Sequence, residues 1–297
     1  MLAGALLDPE KFASQVDSLR EVTFGVNLFL PDDPSGADVA AYAVKIRPWF
    51  ERFGVEPGEV PRRDDNYPAK FSWLVEHPVP LVSSTFGTFS AAEVEALHEA
   101  GTEVWCTVTS AAEAMEADGN GVDALVVQGP EAGGHRGSFD GSAPELPLRE
   151  LLEEVRAVSG LPRIATGGLM DGVDVAPLLE SGLADAAQLG TAFLNTVEAG
   201  TRKVHREQLT ATTETAVTRA FSGRPARGLV NEFMRSNFTD APLAYPDIHY
   251  LTAPMRAKSG AAGDPSGLSM WAGTGHARAR AASASELMTE WAQQLGR

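Results

Sequence analysis

Cysteine is almost absent from this chain, and its scarcity excludes two classes of protein. The 297 residues include a single cysteine, Cys106, so an intrachain disulfide framework is impossible. No Cys/His spacing typical of a zinc site occurs, and no metal centre is expected. Cys106 lies in an apolar run and is interpreted as a small buried core residue rather than a nucleophile.

Clusters of basic residues are also missing. The chain has 24 Lys and Arg residues against 40 Asp and Glu residues, which gives a formal net charge of −16. Nucleic acids and anionic membranes are bound through concentrated Lys and Arg side chains. Neither is therefore expected as a partner, and the acidic total by itself indicates no function.

Long apolar runs are the third absence. No run of 18 apolar residues occurs, and the apolar stretch at residues 1–7 is too short and too uncharged for a signal peptide. A cytoplasmic location without membrane spans is therefore expected. With 43% hydrophobic and 22% charged residues, the composition is that of a globular protein with a sizeable core.

Apolar strands alternate with helices through the first 200 residues. Strands are predicted at 1–7, 23–30, 81–86, 103–108, 123–127, 163–166 and 184–189. Capping signals at Asp8, Ser90 and Ser110 predict helices that start between them, the first running to about Glu21. Repeated strand–helix units indicate parallel strands covered by helices. Seven such strands with no return to an antiparallel pattern favour an α/β TIM (β/α)8 barrel, and a doubly wound sheet is the alternative.

Two other regions are less regular. A helix is predicted at 37–53, and after residue 200 the pattern becomes helical and irregular, with the clearest helix at 207–222. We expect residues 1–200 to form the barrel and residues 201–297 to form a C-terminal extension packed on it. The extension is not expected to be a separate domain.

The central motif follows the strand at 123–127. Residues 128–135 read Gln-Gly-Pro-Glu-Ala-Gly-Gly-His. The glycine pair lets bare backbone approach a ligand, and a histidine with an unperturbed pKa of about 6.5 can abstract a proton near neutral pH. Since the carboxyl ends of barrel strands share one face, His135 is expected at the mouth of the barrel with the other strand ends. An ordinary glycine-rich turn is the alternative, and Glu131 fits a structural loop cap.

Two later strands also end in glycine, and two earlier strands carry amides. Free backbone amides at 167–168 and 190–191 would lie in adjacent loops, where barrels commonly hold a phosphate. Each of these two residue pairs, Gly167-Gly168 and Gly190-Thr191, alone also fits a tight turn. Asn27 and Gln128 stand on apolar strands, and an amide can donate and accept, as recognition of a pyrimidine-like ring edge requires. A satisfied core amide is the alternative for both.

Several of these segments together resemble the nitronate monooxygenases, formerly called 2-nitropropane dioxygenases. The resemblance rests on 128–135, on Ala-Thr-Gly-Gly-Leu-Met-Asp-Gly at 165–172 and on Gln-Leu-Gly-Thr-Ala-Phe-Leu at 188–194. Phe-Gly-Val-Asn-Leu-Phe at 24–29 is similar to the family's early strand. The resemblance implies an FMN-dependent TIM barrel that uses O2, without a metal, to oxidise alkyl nitronates and nitroalkanes to carbonyl compounds and nitrite.

The resemblance also implies roles for individual residues. His135 stands where the family has its catalytic base. The positions of the flavin contacts are Asn27, Gln128, Gly133, Gly134, Gly167, Gly168, Gln188, Leu189, Gly190 and Thr191. Tyr245, Tyr250 and Lys258 are candidates for the substrate pocket. Both a monomer and a homodimer are compatible with the sequence.

The resemblance has one departure, at the N-terminus. Members of the family begin with a strand, a turn of the type Gln-Ala-Pro-Met and a helix before the strand at 1–7, and this segment is absent. A start upstream of Met1 is therefore expected, and an inactive flavin-binding paralogue is the alternative. A third interpretation is an FMN-dependent enoyl-acyl-carrier-protein reductase that uses NAD(P)H, because those enzymes share the Glu-Ala-Gly-Gly-His loop.

Overall fold

A computed structural model describes residues 1–31, 38–61, 63–141, 145–211, 214–238 and 241–296. The strands in these residues are β1 Leu2–Ala3, β2 Gly25–Phe29, β3 Leu81–Thr85, β4 Glu103–Val108, β5 Ala124–Gln128, β6 Gly134–His135, β7 Arg163–Thr166, β8 Ala186–Gln188, β9 Thr215–Thr218 and β10 Ala226–Leu229. The α-helices are α1 Pro9–Asp17, α2 Val39–Lys45, α3 Arg47–Phe53, α4 Tyr67–Glu76, α5 Ala91–Glu99, α6 Ala111–Gly119, α7 Leu148–Val158, α8 Gly172–Glu180, α9 Lys203–Ala211, α10 Glu232–Asn237, α11 Asp247–Ala261 and α12 Ala284–Gln294.

The main sheet is parallel, and its strands follow one another in chain order. The order is β1-β2-β3-β4-β5-β7-β8, with every pairing parallel. The order never reverses, as it would in a doubly wound sheet. The barrel prediction is therefore confirmed: in the described residues the sheet is a curled α/β sheet of the TIM-barrel type with one strand fewer than eight, and β1 and β8 lie at its edges.

Capping residues start the helices where the sequence predicted them. Asp8 Oδ1 accepts the Lys11 amide at 2.9 Å at the start of α1. At α5, Ser90 Oγ accepts the Glu93 amide at 3.4 Å, and Glu93 Oε2 accepts the Ser90 amide at 2.9 Å. Such a cap contributes about 1 kcal/mol because it satisfies an amide that the helix leaves unpaired. At its other end α1 stops at Asp17, earlier than predicted.

The single helix predicted at 37–53 is wrong. Two helices, α2 and α3, meet at Ile46, and Ala37 lies outside the described residues. Pro48 stands in the first turn of α3. Since proline has no amide hydrogen, it cannot continue the hydrogen bonds of α2, and the chain starts a new helix instead.

The helix predicted at 207–222 is also wrong, as is the absence of antiparallel strands. Helix α9 ends at Ala211, and β9 begins at Thr215. The β-branched residues of β9 favour a strand. β10 pairs antiparallel with β9 on one side and with β6 on the other. The two strands of the extension thus form a three-stranded sheet with β6, the strand that contains His135.

Buried side chains tie these elements together. The largest apolar cluster lies between the sheet and helices α1 and α4–α8. A second cluster joins α2 and α3 to α10, α11 and residues around Phe221. A third joins α9 and α12 to residues 268–279. In the part of the chain that the structure describes, no helix is long and apolar enough to cross a membrane.

Candidate active site

A cavity of about 300 Å³ opens at the carboxyl ends of the parallel strands. Most of the predicted site residues line it: Asn27, Gln128, Gly133, His135, Gly167, Gly168, Gln188, Gly190 and Thr191. Gly134 and Leu189 do not. Gly134 pairs with Arg227 of β10, and Leu189 packs in the apolar clusters. The strand ends that the sequence predicted to converge therefore do so.

His135 is enclosed by aromatic rings. The ring centroids of Phe29, Phe86, Tyr245 and Trp271 lie 5.8, 5.7, 5.7 and 5.7 Å from that of His135. Phe29 is the last residue of β2 and Phe86 directly follows β3, whereas the other two rings come from the extension. The four rings form an apolar wall beside the half-buried imidazole, which a ligand in the cavity can contact.

The imidazole is neutral at physiological pH. Burial lowers the pKa of His135 to about 3, and the positive charges of Arg224 and Arg256 add to the shift. The Arg224 guanidinium lies 4.1 Å from the centre of the Phe86 ring and donates to the carbonyl oxygen of Ser138 at 2.6 Å. A neutral imidazole beside fixed positive charge can accept a proton and also favours an anion nearby.

Ser222 fixes the orientation of the imidazole. His135 Nε2 lies 2.9 Å from Ser222 Oγ, which is 3.2 Å from the carbonyl oxygen of Arg224 and is positioned to donate to it. Because the Ser222 hydroxyl donates its hydrogen to the carbonyl oxygen of Arg224, its oxygen accepts from Nε2–H of His135. The free lone pair of the imidazole is then on Nδ1. Among the described residues, Nδ1 has no hydrogen-bond partner in the protein. The geometry therefore suits His135 to act as a general base through Nδ1.

Polar side chains on β2, β3 and β4 form a ladder along one wall of the cavity. Asn27 Oδ1 accepts from Ser83 Oγ at 2.8 Å and from Thr85 Oγ1 at 3.0 Å. Thr85 Oγ1 lies 3.3 Å from Thr107 Oγ1. Two hydroxyl groups donate to Asn27 Oδ1, so the side-chain nitrogen points away from them. No described side chain accepts a hydrogen bond from this nitrogen. Asn27 is therefore a donor available to a ligand.

Gln128 holds the motif loop in place. Its Nε2 donates to the carbonyl oxygen of His135 at 3.1 Å, and its Oε1 accepts the Gly137 amide at 2.8 Å. Glu131 Oε1 accepts the Leu148 amide at the start of α7 at 3.3 Å. Both side chains shape the loop, so the structural interpretation of Glu131 agrees with the structure.

Two glycine loops form a cradle at the other end of the cavity. Gly167 and Gly168 have φ angles of 120° and 73°, which side-chain-bearing residues rarely adopt. Within the described part of the chain, the amides of Gly168, Gly190 and Thr191 have no acceptor in the protein. A short 3₁₀ helix begins at Thr191. Several free amides with no side chain above them suit a phosphate group.

The extension closes this cradle, which could not be predicted from the local sequence. The Gly273 amide donates to Thr191 Oγ1 at 2.9 Å, and Gly273 and Gly275 line the cavity. A Cβ at Gly133 would lie 2.4 Å from the Gly273 nitrogen. The only sequence signal was the glycine pair after Trp271, which is weak without knowledge of the fold.

The remaining candidates lie apart from the cavity. Tyr250 is half-buried and Lys258 is exposed, and neither lines it. Tyr245 is buried, and its hydroxyl has no hydrogen-bond partner among the described residues.

Cys106 is buried, and burial raises the pKa of its thiol to about 12, so it is not a nucleophile. The described residues include no group of three His, Cys, Asp or Glu side chains that could hold a metal ion.

Comparison with known proteins agrees with this geometry. The family model for nitronate monooxygenase matches residues 1–294. The chain belongs to the nitronate monooxygenase family. It is 30% identical over 307 residues to a probable nitronate monooxygenase of Staphylococcus aureus strain JH9, covering 99% of this chain and 86% of that protein. This member of the family is therefore an oxidoreductase.

Solved structures give the same result. The structure of nitroalkane oxidase from Streptomyces ansochromogenes has a TM-score of 0.95 and 40% sequence identity, covering 99% of this chain and 88% of that one. FabK from Thermotoga maritima has a TM-score of 0.71 at 24% identity, covering 98% and 82%. The second similarity is one of fold alone.

Proposed function

We propose that this family member is an FMN-dependent nitronate monooxygenase. It oxidises alkyl nitronates and nitroalkanes with O2 and yields carbonyl compounds and nitrite. The observation that carries the proposal is a neutral, oriented histidine in an aromatic enclosure, in the same cavity as a cradle of free amides. The resemblance to nitronate monooxygenases and the similarity to a nitroalkane oxidase support the same substrate class.

The residues of the cavity fit FMN in two places. The amides of Gly168, Gly190 and Thr191 would hold its phosphate, and the Asn27 amide would donate to the edge of its ring system. Gly133, Gly167 and Gln188 would line the remainder, while Gln128 acts mainly through the loop. When bound, FMN supplies the electron acceptor, and the protein orients the reactants and excludes water.

His135 would serve as the base for neutral nitroalkanes. Its lone pair would take the proton on the carbon next to the nitro group, and the positive charges of Arg224 and Arg256 would favour the nitronate anion that results. A nitronate supplied as such has already lost this proton. The aromatic rings around His135 would contact the alkyl part of the substrate.

Visible absorption of the purified protein, with and without added FMN, tests the cofactor. The proposal predicts bound-flavin bands, consumption of O2 on addition of an alkyl nitronate, and release of nitrite. A colourless protein that does not bind FMN would instead support an inactive paralogue. Rapid bleaching of the bound flavin by NADH under nitrogen, without turnover of nitronates, would support an enoyl reductase.

The setting of the enzyme belongs to the same proposal. We place it in the cytoplasm, as a monomer or homodimer that acts on small molecules and O2. A single buried cysteine fits that reducing compartment. The extension is proposed to be part of the barrel domain, and the pairing of β10 with β6 supports this.

A further inference from the structure

A second cavity, of about 360 Å³, lies between α9 and α11. Its polar lining consists of Thr201, Arg202, His205, Arg256 and Ser269, and it shares no residue with the cavity at His135. No described Asp or Glu lines it. An acid-free groove with two arginines is unexpected in a chain with a net charge of −16.

Arg256 brings a half-buried positive charge to this groove. Its Nε donates to Thr252 Oγ1 at 3.1 Å, and its Nη2 donates to the carbonyl oxygen of His249 at 2.7 Å. Within the described residues it forms no ion pair, and its Nη1 has no partner. Burial lowers the pKa of Arg256 only to about 10, so the charge persists at neutral pH. A desolvated cation is costly to the fold unless an anion approaches it.

Arg202 reaches the same side of α11. Its guanidinium lies against Gly260, where a Cβ would be 3.1 Å from Arg202 Nη1. Gly260 follows Arg256 by four residues on α11, so the two positions are neighbours on one helix face. The exposed side chain of Arg202 has neither a hydrogen bond nor an ion pair with any described residue.

The start of α9 and the side chain of His205 add two further features. Among the described residues, the amides of Lys203, Val204 and His205 have no acceptor, and they stand at the positive end of the helix dipole. His205 lines the groove and is 9% exposed, and its Nε2 has no partner in the described part of the chain. Of these three residues only His205 lines the groove, so its amide and its unpartnered imidazole join the two guanidinium groups as donors that suit one oxyanion.

We propose that this groove binds a phosphate group, held by Arg202 and Arg256 at the start of α9. The planar fork of arginine matches the oxygens of phosphate, and His205 completes the donor set. The volume is at the lower end of the range for small-molecule sites, so a small phosphate ester fits as well as free phosphate. The inference does not rest on the proposed reaction, since the two cavities are separate.

Calorimetric titration of the FMN-saturated protein with inorganic phosphate, in chloride buffer, tests the site. Saturation with FMN fills the glycine cradle first. The wild-type protein should bind phosphate, and Arg202→Met and Arg256→Met should each weaken binding at least tenfold. Arg149→Met removes the same charge from the exposed face of α7 and should leave binding unchanged. A parallel titration with glycerol 3-phosphate distinguishes the two possible ligands. Tighter binding of glycerol 3-phosphate than of inorganic phosphate indicates that the groove binds a phosphate ester, and equal or weaker binding indicates that it binds free phosphate.

Three results would overturn the proposal. These are no phosphate binding by the wild-type protein at millimolar concentration, unchanged binding in Arg202→Met, or equal losses in Arg202→Met and Arg149→Met. Arg202 is exposed and makes no side-chain bond to a described residue, so its replacement should leave the fold intact, which a circular dichroism spectrum checks. If the protein does not bind FMN, the comparison of Arg202→Met with Arg149→Met without FMN still decides the question.

Discussion

The single histidine of the cavity shows how environment selects one residue among six of its type. His135 is half-buried among aromatic rings, and its pKa is lowered to about 3. Burial also lowers the pKa of His249 to about 3 and that of His205 to about 4, so it is the position of His135 in the cavity that sets it apart. An imidazole that stays neutral at all physiological pH values is always ready to accept a proton. Its strength as a base is reduced by the same shift, because Brønsted behaviour links the two.

The charge of Arg256 should be visible in the pH dependence. Arg256 lowers the pKa of His135, together with Arg224 and with burial. Arg256→Met removes one positive charge and should raise the pKa of His135, so the base becomes protonated at higher pH than in the wild-type protein. The acid limb of kcat/KM for a neutral nitroalkane should therefore move to higher pH. An acid limb at the wild-type position would contradict this account of the shift, and Arg149→Met serves as the charge control.

Ser222 should matter for proton abstraction and not for the redox step. Ser222→Ala removes the partner of His135 Nε2, and the loss of one hydrogen bond is worth about 1 kcal/mol. We expect kcat/KM for a neutral nitroalkane to fall by about fivefold, while turnover of a preformed nitronate changes little. Ser269→Ala, in the other groove, is the matched control. Equal losses on both substrates would exclude an orienting role.

At this scale, the sequence predicted what is local and missed what is distant. His135 and the glycine pairs stand in short motifs next to apolar strands, so their place at the barrel mouth follows from the strand–helix pattern. Ser222 lies 87 residues after His135, and nothing in its neighbourhood marks it. Trp271 and Gly273 reach the site only because the extension folds back over the strand ends.

At the scale of elements, close backbone packing joins the motif loop to the extension. Gly133 lies against the backbone of Ala272 and Gly273, where a Cβ would be 2.4–2.7 Å from three atoms. The strands of the sheet were predicted because apolar runs and parallel order follow from composition. The elements that differed, at 37–53 and 207–222, depend on Pro48 and on the long-range pairing of β9 with β10.

Gly133→Ala should loosen this contact. The added methyl group meets backbone that cannot rotate away, and such overpacking costs typically 1–3 kcal/mol. We expect a lower Tm and weaker FMN binding, measured by thermal unfolding and by flavin fluorescence titration. Gly200→Ala is the control, since nothing lies within 4 Å of its Cβ position. If Gly133→Ala retained wild-type Tm and FMN affinity, the predicted contact between the loop and the extension would be wrong.

At the scale of the whole molecule, the cavity is assembled from both parts of the chain. The barrel part supplies Asn27, His135 and the glycine cradle, and the extension supplies Gly273 and Gly275. Ser222 and Tyr245 of the extension contact His135 without lining the cavity. β10 of the extension pairs with β6 of the motif loop. Separate unfolding of the two parts is therefore costly. If one part unfolded, the backbone and aromatic side chains of the other part would lose their partners and become exposed.

Hydrogen exchange tests whether the two parts unfold together. Amides of β5, inside the barrel, and of β10, in the extension, should lose protection at the same urea concentration, since they belong to one cooperative unit. Added FMN should raise that concentration equally for both strands, because ligand binding to the folded state stabilises the unit as a whole. Loss of protection in β10 well before β5 would show that the extension is an independent unit.

The proposed function depends most on His135 as the base for neutral nitroalkanes in an FMN-dependent nitronate monooxygenase. The most direct measurement compares His135→Asn with the wild-type protein on a nitroalkane and on its preformed nitronate, both proteins saturated with FMN. We expect the variant to lose turnover of the nitroalkane by roughly 10²–10⁴-fold, the range typical of a lost general base. Turnover of the nitronate should largely remain. Equal loss on both substrates, with normal flavin binding, would contradict the assignment of His135 as the base.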